Sequence, residues 1–391
     1  MDSARHRRRA SIGPPDGAED ASIPVRATSY RLPMSRTSAF RTLDLFAGAG
    51  GLSAGLHAAD ERFRPVTAVE MDVAAAATYA TNFDAHVYAG KIEDWLAHED
   101  VPEVDVVVGG PPCQGFSSLG RQDAADTRNK LWSQYAEAVR LATPRYFIME
   151  NVPQFMKSPE FELFRQSTKR DGRLQNYTFD VAVLNSAHFG AAQARKRTII
   201  FGWHRDLKSP ELPKDTHSEN PVTVRAALAG IAHTVHETQL PDSFIEFNGK
   251  QLPGAFKSMD LHLSRRYEKV SLDRFKEIPS GGNRFNLPDH LLAECWRNHK
   301  TGSADVMGRM HWDRPSVTIR TEFFKPEKGR YLHPSEDRAI THYEATRLQG
   351  FPEDYQWVGS KTSIAKQIGN AVPIPLGRAI GRTISRALSE D

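Results

Sequence analysis

One thiol in this chain stands where a nucleophile would be placed. Val106-Val107-Val108-Gly109 is an apolar run, read as the end of a buried strand, and it leads into the turn Gly110-Pro111-Pro112-Cys113-Gln114-Gly115-Phe116-Ser117. Pro111 and Pro112 each fix φ and lack an N–H donor. The glycines on both sides open conformations closed to other residues. A free cysteine is usually a small buried apolar residue. A thiol on a stiff turn at a strand's end is instead presented for attack, with a reactivity set by how much of it is thiolate. A second chemical element lies earlier in the chain. Thr42-Leu43-Asp44-Leu45-Phe46 runs into Ala47-Gly48-Ala49-Gly50-Gly51 and then into a helix, a turn that lets a ligand approach the backbone near a helix N-terminus. Twenty residues past Gly50 the next strand ends in Glu70, where an acid accepts hydrogen bonds from a ribose diol. The glycines are crowded and not spaced as GxGxxG, which favours a nucleoside ligand with no pyrophosphate. A nicotinamide cofactor, or a turn needed only for packing, remains open on these residues alone.

The elements that must position these groups alternate. Strands are expected at Thr42–Phe46, Val66–Glu70, Val104–Val108, Tyr146–Glu150, Phe179–Leu184 and Arg197–Gly202, and helices at Gly51–Ala59, Val73–Asn82, Lys130–Ala142 and Phe161–Arg170. That order predicts an α/β fold, a Rossmann-like, doubly wound and mostly parallel sheet. Residues 203–313 differ: they hold eight of the fifteen His, many Pro and Gly turns and little periodicity, and read as a smaller loop-rich inserted domain. Order resumes at 314–391, with a strand at Ser316–Thr321 and helices at Thr341–Leu348 and Pro373–Leu388. The last helix carries Ile374, Leu376, Ile380, Ile384 and Leu388 at roughly helical spacing, which packs it back beside the first strand. The catalytic domain thus spans 40–202 and 314–391, behind a disordered basic tail at 1–39.

Composition bounds the class. The 391 residues are 39% hydrophobic, as in a soluble globular protein. No apolar run approaches the roughly 20 residues that cross a bilayer, and no signal peptide is visible. Two cysteines cannot build a disulfide framework and suit a reducing cytoplasm. The insert's histidines are not spaced with cysteines as zinc ligands, so no metal is expected. The net charge of +3 is accounted for by the tail, where seven Arg face four acidic residues. A polyanion must therefore be met by a local patch. Residues 250–300 supply one, with ten basic against six acidic residues.

Seven segments, in order, resemble the DNA (cytosine-5)-methyltransferase family of bacterial type, dependent on S-adenosylmethionine. They are Leu43–Leu56, Ala68–Asp72, Gly109–Ser117, Met149–Val152, Phe189–Arg197, Arg314–Thr321 and Gln367–Pro373. The resemblance covers most of the chain outside the tail and the insert, and implies a class I methyltransferase fold. It implies that Cys113 attacks C6 of a flipped-out cytosine, that Glu150 acts at N3 and the exocyclic amine, and that Arg195 and Arg197 shape the base pocket. It assigns the cofactor site to Phe46, Gly48, Gly50, Gly51, Glu70, Met71, Ile92, Pro111, Asn370 and Ala371. Gly90-Lys91-Ile92 stands where the family often has Gly-Asp-Ile, which leaves Asp94 as a substitute acid. The insert becomes a DNA-recognition domain, with Arg265 and Arg266 on phosphates and the turn Gly282, Asn283, Arg284 reading bases. Ser117, Arg121 and Arg128 lie on a loop expected to close over the extruded base. The implied partner is double-stranded DNA, for a cytoplasmic, nucleoid-associated monomer with or without a cognate restriction endonuclease. A tRNA cytosine-5 methyltransferase, a nicotinamide oxidoreductase and a catalytically dead DNA binder are the rival readings.

Overall fold

A computed structural model of the protein describes residues 39–112, 131–297 and 302–390. The first part alternates as β1 (Phe40–Leu45), α1 (Gly51–Ala59), β2 (Phe63–Glu70), α2 (Val73–Asn82), β3 (His86–Ala89), α3 (Ile92–His98) and β4 (Val106–Gly109). It continues with α4 (Leu131–Ala142), β5 (Tyr146–Asn151), α5 (Pro159–Ser167), β6 (Tyr177–Asn185) and β7 (Lys196–His204). These strands form one seven-stranded sheet in the order β3-β2-β1-β4-β5-β7-β6. Six strands run in one direction, and β7 alone is reversed, lying antiparallel between β5 and β6. Strand order reverses between β1 and β4. In an open α/β sheet a ligand crevice forms at such a switch point, beyond the carboxyl ends of the strands.

Local chemistry sets the element boundaries. Gly50 adopts φ 82 at the start of α1, a left-handed conformation that favours glycine. Asp72 accepts hydrogen bonds from the amides of Ala74 and Ala75 and so opens α2. Both helices fall on the expected residues. β3 was not expected, because four half-polar residues at a sheet edge carry no apolar pattern. The expected strand at Ser316–Thr321 does not form; Ser316 makes only an isolated bridge to Gln193. The ladder stops because the Gln193 side chain takes the Ile319 amide (2.8 Å), while Thr318 Oγ1 donates to the Ala194 carbonyl (2.9 Å).

The insert is loop-rich, with α6 (Val224–Ala227), the hairpin β8 (Phe244–Phe247) and β9 (Lys250–Pro253), β10 (Phe256–Lys257), α7 (Lys269–Glu277) and the single turn α8 (Glu294–Arg297). A small core of Phe275, Ile278, Leu287, Met307 and Leu332 serves it. Cys295 is exposed; on the one-turn α8 it is Trp296 that packs inward. The chain returns through α9 (His342–Gln349), β11 (Gln356–Trp357), α10 (Lys361–Asn370) and α11 (Ile374–Glu390).

α11 buries Leu376, Ile380, Ile384 and Leu388 in one cluster with Phe40 of β1 and with Leu52 and Leu56 of α1. The approach of the two helices depends on absent side chains: a Cβ on Gly55 would sit 2.5 Å from the Gly377 Cα. Gly55→Val is therefore expected to destabilise the fold by about 2–3 kcal/mol, as overpacked cores do. Urea unfolding measures this, and a change below about 0.5 kcal/mol, typical of an open surface site, would contradict the packing.

Candidate active site

The switch point holds a cleft of about 440 Å³. One end is built by the carboxyl ends of β1 and β2 with the first turns of α1 and α3. Phe46, the first residue after β1, sits at φ 56, a conformation that is strained for a non-glycine residue. Gly48 follows at φ 54. The Gly48 amide donates to Glu70 Oε2 (2.9 Å) and the Asp72 amide donates to Oε1 (2.7 Å). The backbone thus aims the carboxylate before any ligand arrives, and burial pushes its pKa above the ordinary carboxylate range. Met71, 65% exposed, offers apolar surface at the rim. Gly51, Ile92, Pro111, Asn370 and Ala371 line the same cleft.

Two cofactor-end expectations change. Gly50 is not among the lining residues; a Cβ there would run into Phe83, Tyr79 and Tyr355, so this glycine serves the turn and its packing. Asp94 is absent from the lining, whereas Lys91 and Glu93 are part of it. Asn370, which lines the cleft, is the last residue of α10, with Ala371 at the cap position.

The other end is built by β4, β5 and β7. In the sheet register, Glu150 of β5 lies opposite Ile199 of β7. Because β7 runs antiparallel, its first residues return to the edge where β5 ends. Arg197 therefore meets Glu150, Nε to Oε1 at 2.7 Å, with both side chains mostly buried. Charge-assisted pairing of this kind fixes the carboxylate's orientation. Gly110 passes close by: a Cβ there would lie 3.0 Å from Glu150 Oε2. Asn151 donates through Nδ2 to the Pro111 carbonyl (3.1 Å), tying the end of β5 to the proline turn. Pro111 and Pro112 line the cleft, and Cys113, the next residue, lies outside the described residues. Ser117, Arg121 and Arg128, and the tail up to residue 38, also lie outside them.

Arg195 lines the cleft but is only 3% exposed. Its guanidinium donates to the carbonyls of Ile319 (3.2 Å), Gly369 (2.9 Å) and Asn370 (3.3 Å). The last two close α10, where a cation suits the negative end of the helix dipole. Burial first, and then neighbouring Arg197, pulls its pKa down to about 9, so it stays charged at neutral pH. Arg195 is thus a positioning residue that ties the base end of the cleft to the Asn370–Ala371 wall. Gln193 assists: its Nε2 donates to Gln349 Oε1 (2.7 Å), and Gln349 in turn donates to the Ile368 carbonyl (2.6 Å).

Sequence reasoning gave no role to Asp44, Asn151 or Gln193. The signal for Asp44 was an acid inside the apolar strand Leu43-Asp44-Leu45. It is 2% exposed, lines the cleft, and accepts from Ser53 Oγ (2.6 Å), which also contacts the Tyr79 hydroxyl (2.8 Å). Burial raises its pKa from 3.8 to about 7; hydrogen bonds from Ser53 and Tyr79 oppose that rise, and nearby Glu70 adds to it. The folded state thus favours the protonated form. Its contribution to stability is full below about pH 4 and is lost as pH rises through about 7. Asp44→Asn removes this loss. Its stability advantage over the parent is expected to grow between pH 4 and pH 7 and then level off. Urea unfolding across that range measures it, and a pH-independent difference would contradict the assignment.

The insert's candidate residues are placed unevenly. Arg265 and Arg266 are exposed, and Gly282 and Asn283 are half-buried. Arg284, expected to face bases, is buried, with its guanidinium 4.8 Å from the Phe285 ring centroid. Exposed Phe285 is what the turn offers outward. Among the described residues no helix is long and apolar enough to cross a membrane.

Comparison with known proteins agrees with this geometry. Residues 40–386 match the family model described as C-5 cytosine-specific DNA methylase. The chain is 31% identical over 354 residues to the Type II methyltransferase M1.HphI of Haemophilus parahaemolyticus, a match covering 88% of this chain and 86% of that one. It is 30% identical over 363 residues to the Type II methylase M.HgiDII of Herpetosiphon aurantiacus, covering 88% of this chain and 95% of that one. A solved E. coli structure, described as a DNA modification methyltransferase encoded within a prophage, superposes with a TM-score of 0.66 at 24% identity. That superposition covers 90% of this chain and 100% of the other, and shows a shared fold. With the sheet order, the cleft and the family match in accord, the chain belongs to the C-5 cytosine-specific DNA methylases.

Proposed function

We propose that the protein methylates C5 of a cytosine turned out of a specific duplex DNA site, using S-adenosylmethionine, with Cys113 as the nucleophile. The observation that carries this reading is the single cleft. It joins a nucleoside end, with Glu70 held by backbone amides, to a base end, with Glu150 held by Arg197. The residues present fit a sulfonium nucleoside: Glu70 for a ribose diol, Met71 for an adenine face, and Phe46, Gly48, Asn370 and Ala371 for the amino-acid portion. When bound, that cofactor supplies an electrophilic methyl group.

The chain's own residues make C5 able to accept it. C5 of cytosine is a weak nucleophile inside an aromatic ring. Bonding of the Cys113 sulfur to C6 breaks the aromaticity and moves an electron pair toward C5, as in an enamine. Glu150 protonates or hydrogen-bonds N3, offsetting the charge that develops there, so its help falls mainly in the transition state. After methylation, loss of the C5 proton expels the thiolate from C6 and restores the ring. A stacked base cannot be reached in this way, so extrusion from the duplex, at a cost of a few kcal/mol, must precede attack. Arg197 holds Glu150 for the incoming base, and the Arg195 clamp keeps the two ends of the cleft in register.

Residues 203–313 serve as the target-recognition domain, with exposed Arg265 and Arg266 on phosphates and Gly282 and Asn283 in the reading turn. The enzyme acts as a monomer in the cytoplasm, at the nucleoid, as the modification partner of a restriction endonuclease or alone. Sequencing of chemically converted DNA from cells expressing the protein tests the whole reading. Methylcytosine at one recurrent site is expected. Transfer of labelled methyl to tRNA but not to duplex DNA would overturn it.

A further inference from the structure

A second cavity, of about 320 Å³, lies away from the catalytic cleft. Its polar lining consists of His311, Arg314, Ser316 and Arg330, and Met310 and Val317 help to close it. Among the described residues no carboxylate lines it, and Asp305, outside the lining, pairs with Arg330 Nε (3.3 Å). Ser316 is 3% exposed, and its Oγ has no hydrogen-bond partner among the described residues. A buried hydroxyl left unpaired costs about 1–3 kcal/mol, and such an atom asks for an explanation. Arg314 is exposed and makes no ion pair among the described residues. Arg314 and Arg330 both lower the pKa of His311, after the larger effect of its burial.

The cavity is fastened to both functional parts of the molecule. On one side, Arg330 Nη1 donates to the carbonyls of Gly281 (2.7 Å) and Gly282 (2.9 Å), the turn proposed to read bases. Gly281, at φ 72, passes so close to the His311 ring that a Cβ there would overlap it. On the other side, the Ser316 amide donates to the Ala192 carbonyl (2.9 Å) and the Ala194 amide donates to the Ser316 carbonyl (2.8 Å). That strand-like pairing fastens the cavity wall to the Gln193–Arg197 segment that holds the base end of the cleft.

Arg330 is already paired with Asp305, so it is Arg314, without an ion pair among the described residues, and the orphaned Ser316 hydroxyl that present donors to a ligand that only accepts. A base edge carries donors as well as acceptors, whereas a phosphodiester accepts alone and bears a charge. We propose that this cavity seats one backbone phosphate of the bound duplex, between the bases read by the Gly281–Asn283 turn and the extruded cytosine. Its occupation fixes the distance between the recognised sequence and the methylated position. The proposal rests on the duplex-DNA reading above.

The test uses the full-length protein, the duplex site found by converted-DNA sequencing, and a set of duplexes each with one neutral methylphosphonate linkage. Arg314→Gln is expected to lower the slope of log affinity against log salt by about 0.9. Ser316→Ala is expected to weaken duplex binding about ten-fold, as loss of a hydrogen bond to a charged group does. Calorimetric binding of S-adenosylhomocysteine should be unchanged in both, since neither residue lines the catalytic cleft. One phosphonate position should weaken the parent and have no further effect on Arg314→Gln. Should Arg314→Gln fold poorly, Ser316→Ala removes a single buried atom and gives the same comparison. Unchanged salt slope and identical phosphonate profiles in parent and variants, beside a parent that methylates duplex DNA, would overturn the phosphate seat alone. A parent that methylates no duplex would overturn the functional reading and the seat together.

Discussion

Cys113→Ala is expected to abolish methyl transfer, with a loss of more than about 10⁴-fold, because removing a covalent nucleophile deletes the step on which the others depend. Among the described residues that line the cleft, none can replace the sulfur. Glu150 and Arg197 are locked to each other at 2.7 Å, and the second cysteine, Cys295, is exposed on α8 of the insert and does not line the cleft. Duplex binding and S-adenosylhomocysteine binding should survive, since both rest on residues the substitution leaves in place. Labelled-methyl transfer and calorimetry on the same preparation separate the two effects. Residual transfer within about ten-fold of the parent would remove Cys113 from the mechanism.

The second large effect falls on Glu150. Glu150→Gln keeps the shape of the side chain but removes both the charge that pairs with Arg197 and the acidity proposed to act at N3. A loss of about 10²–10³-fold in kcat is expected, the usual scale for one positioned acid or one stabiliser of developing charge. KM for DNA should move much less, because the missing interaction belongs to the transition state. The variant should also lose about 1–3 kcal/mol of stability, since Arg197 is left mostly buried without its counter-charge. Glu150→Asp, which keeps the charge, should recover the stability more fully than the rate. A Glu150→Gln enzyme with parental kcat would show that the pair is structural only.

The catalytic framework was largely legible in the sequence, because short-range chemistry specifies it. Gly50 and Asp72 mark the starts of α1 and α2, and both helices fall on the residues the sequence indicates. The Glu150–Arg197 contact was not legible. It depends on β7 running antiparallel beside β5, a long-range register that neither segment encodes locally. Arg195 was read as a wall of the base pocket, and its contacts with the Gly369 and Asn370 carbonyls show a clamp between segments far apart in the chain. Asp44 looked like one polar residue in a strand until burial and the Ser53 hydrogen bond gave it a titration of its own. In the loop-rich insert, periodicity offers no guide to which side chains face out. Arg284, expected on the base-reading surface, accordingly lies in the interior.

The central claim is that a sulfur bonds transiently to C6 of the target base. Fluorine at C5 tests it directly, because the adduct cannot release a proton from that carbon after methylation and so persists. The protein, incubated with S-adenosylmethionine and duplexes carrying 5-fluorocytosine at the methylated position, should give a denaturation-resistant protein–DNA species whose cross-linked peptide contains Cys113. Absence of that species, from a preparation that methylates the unfluorinated duplex, would contradict the covalent mechanism.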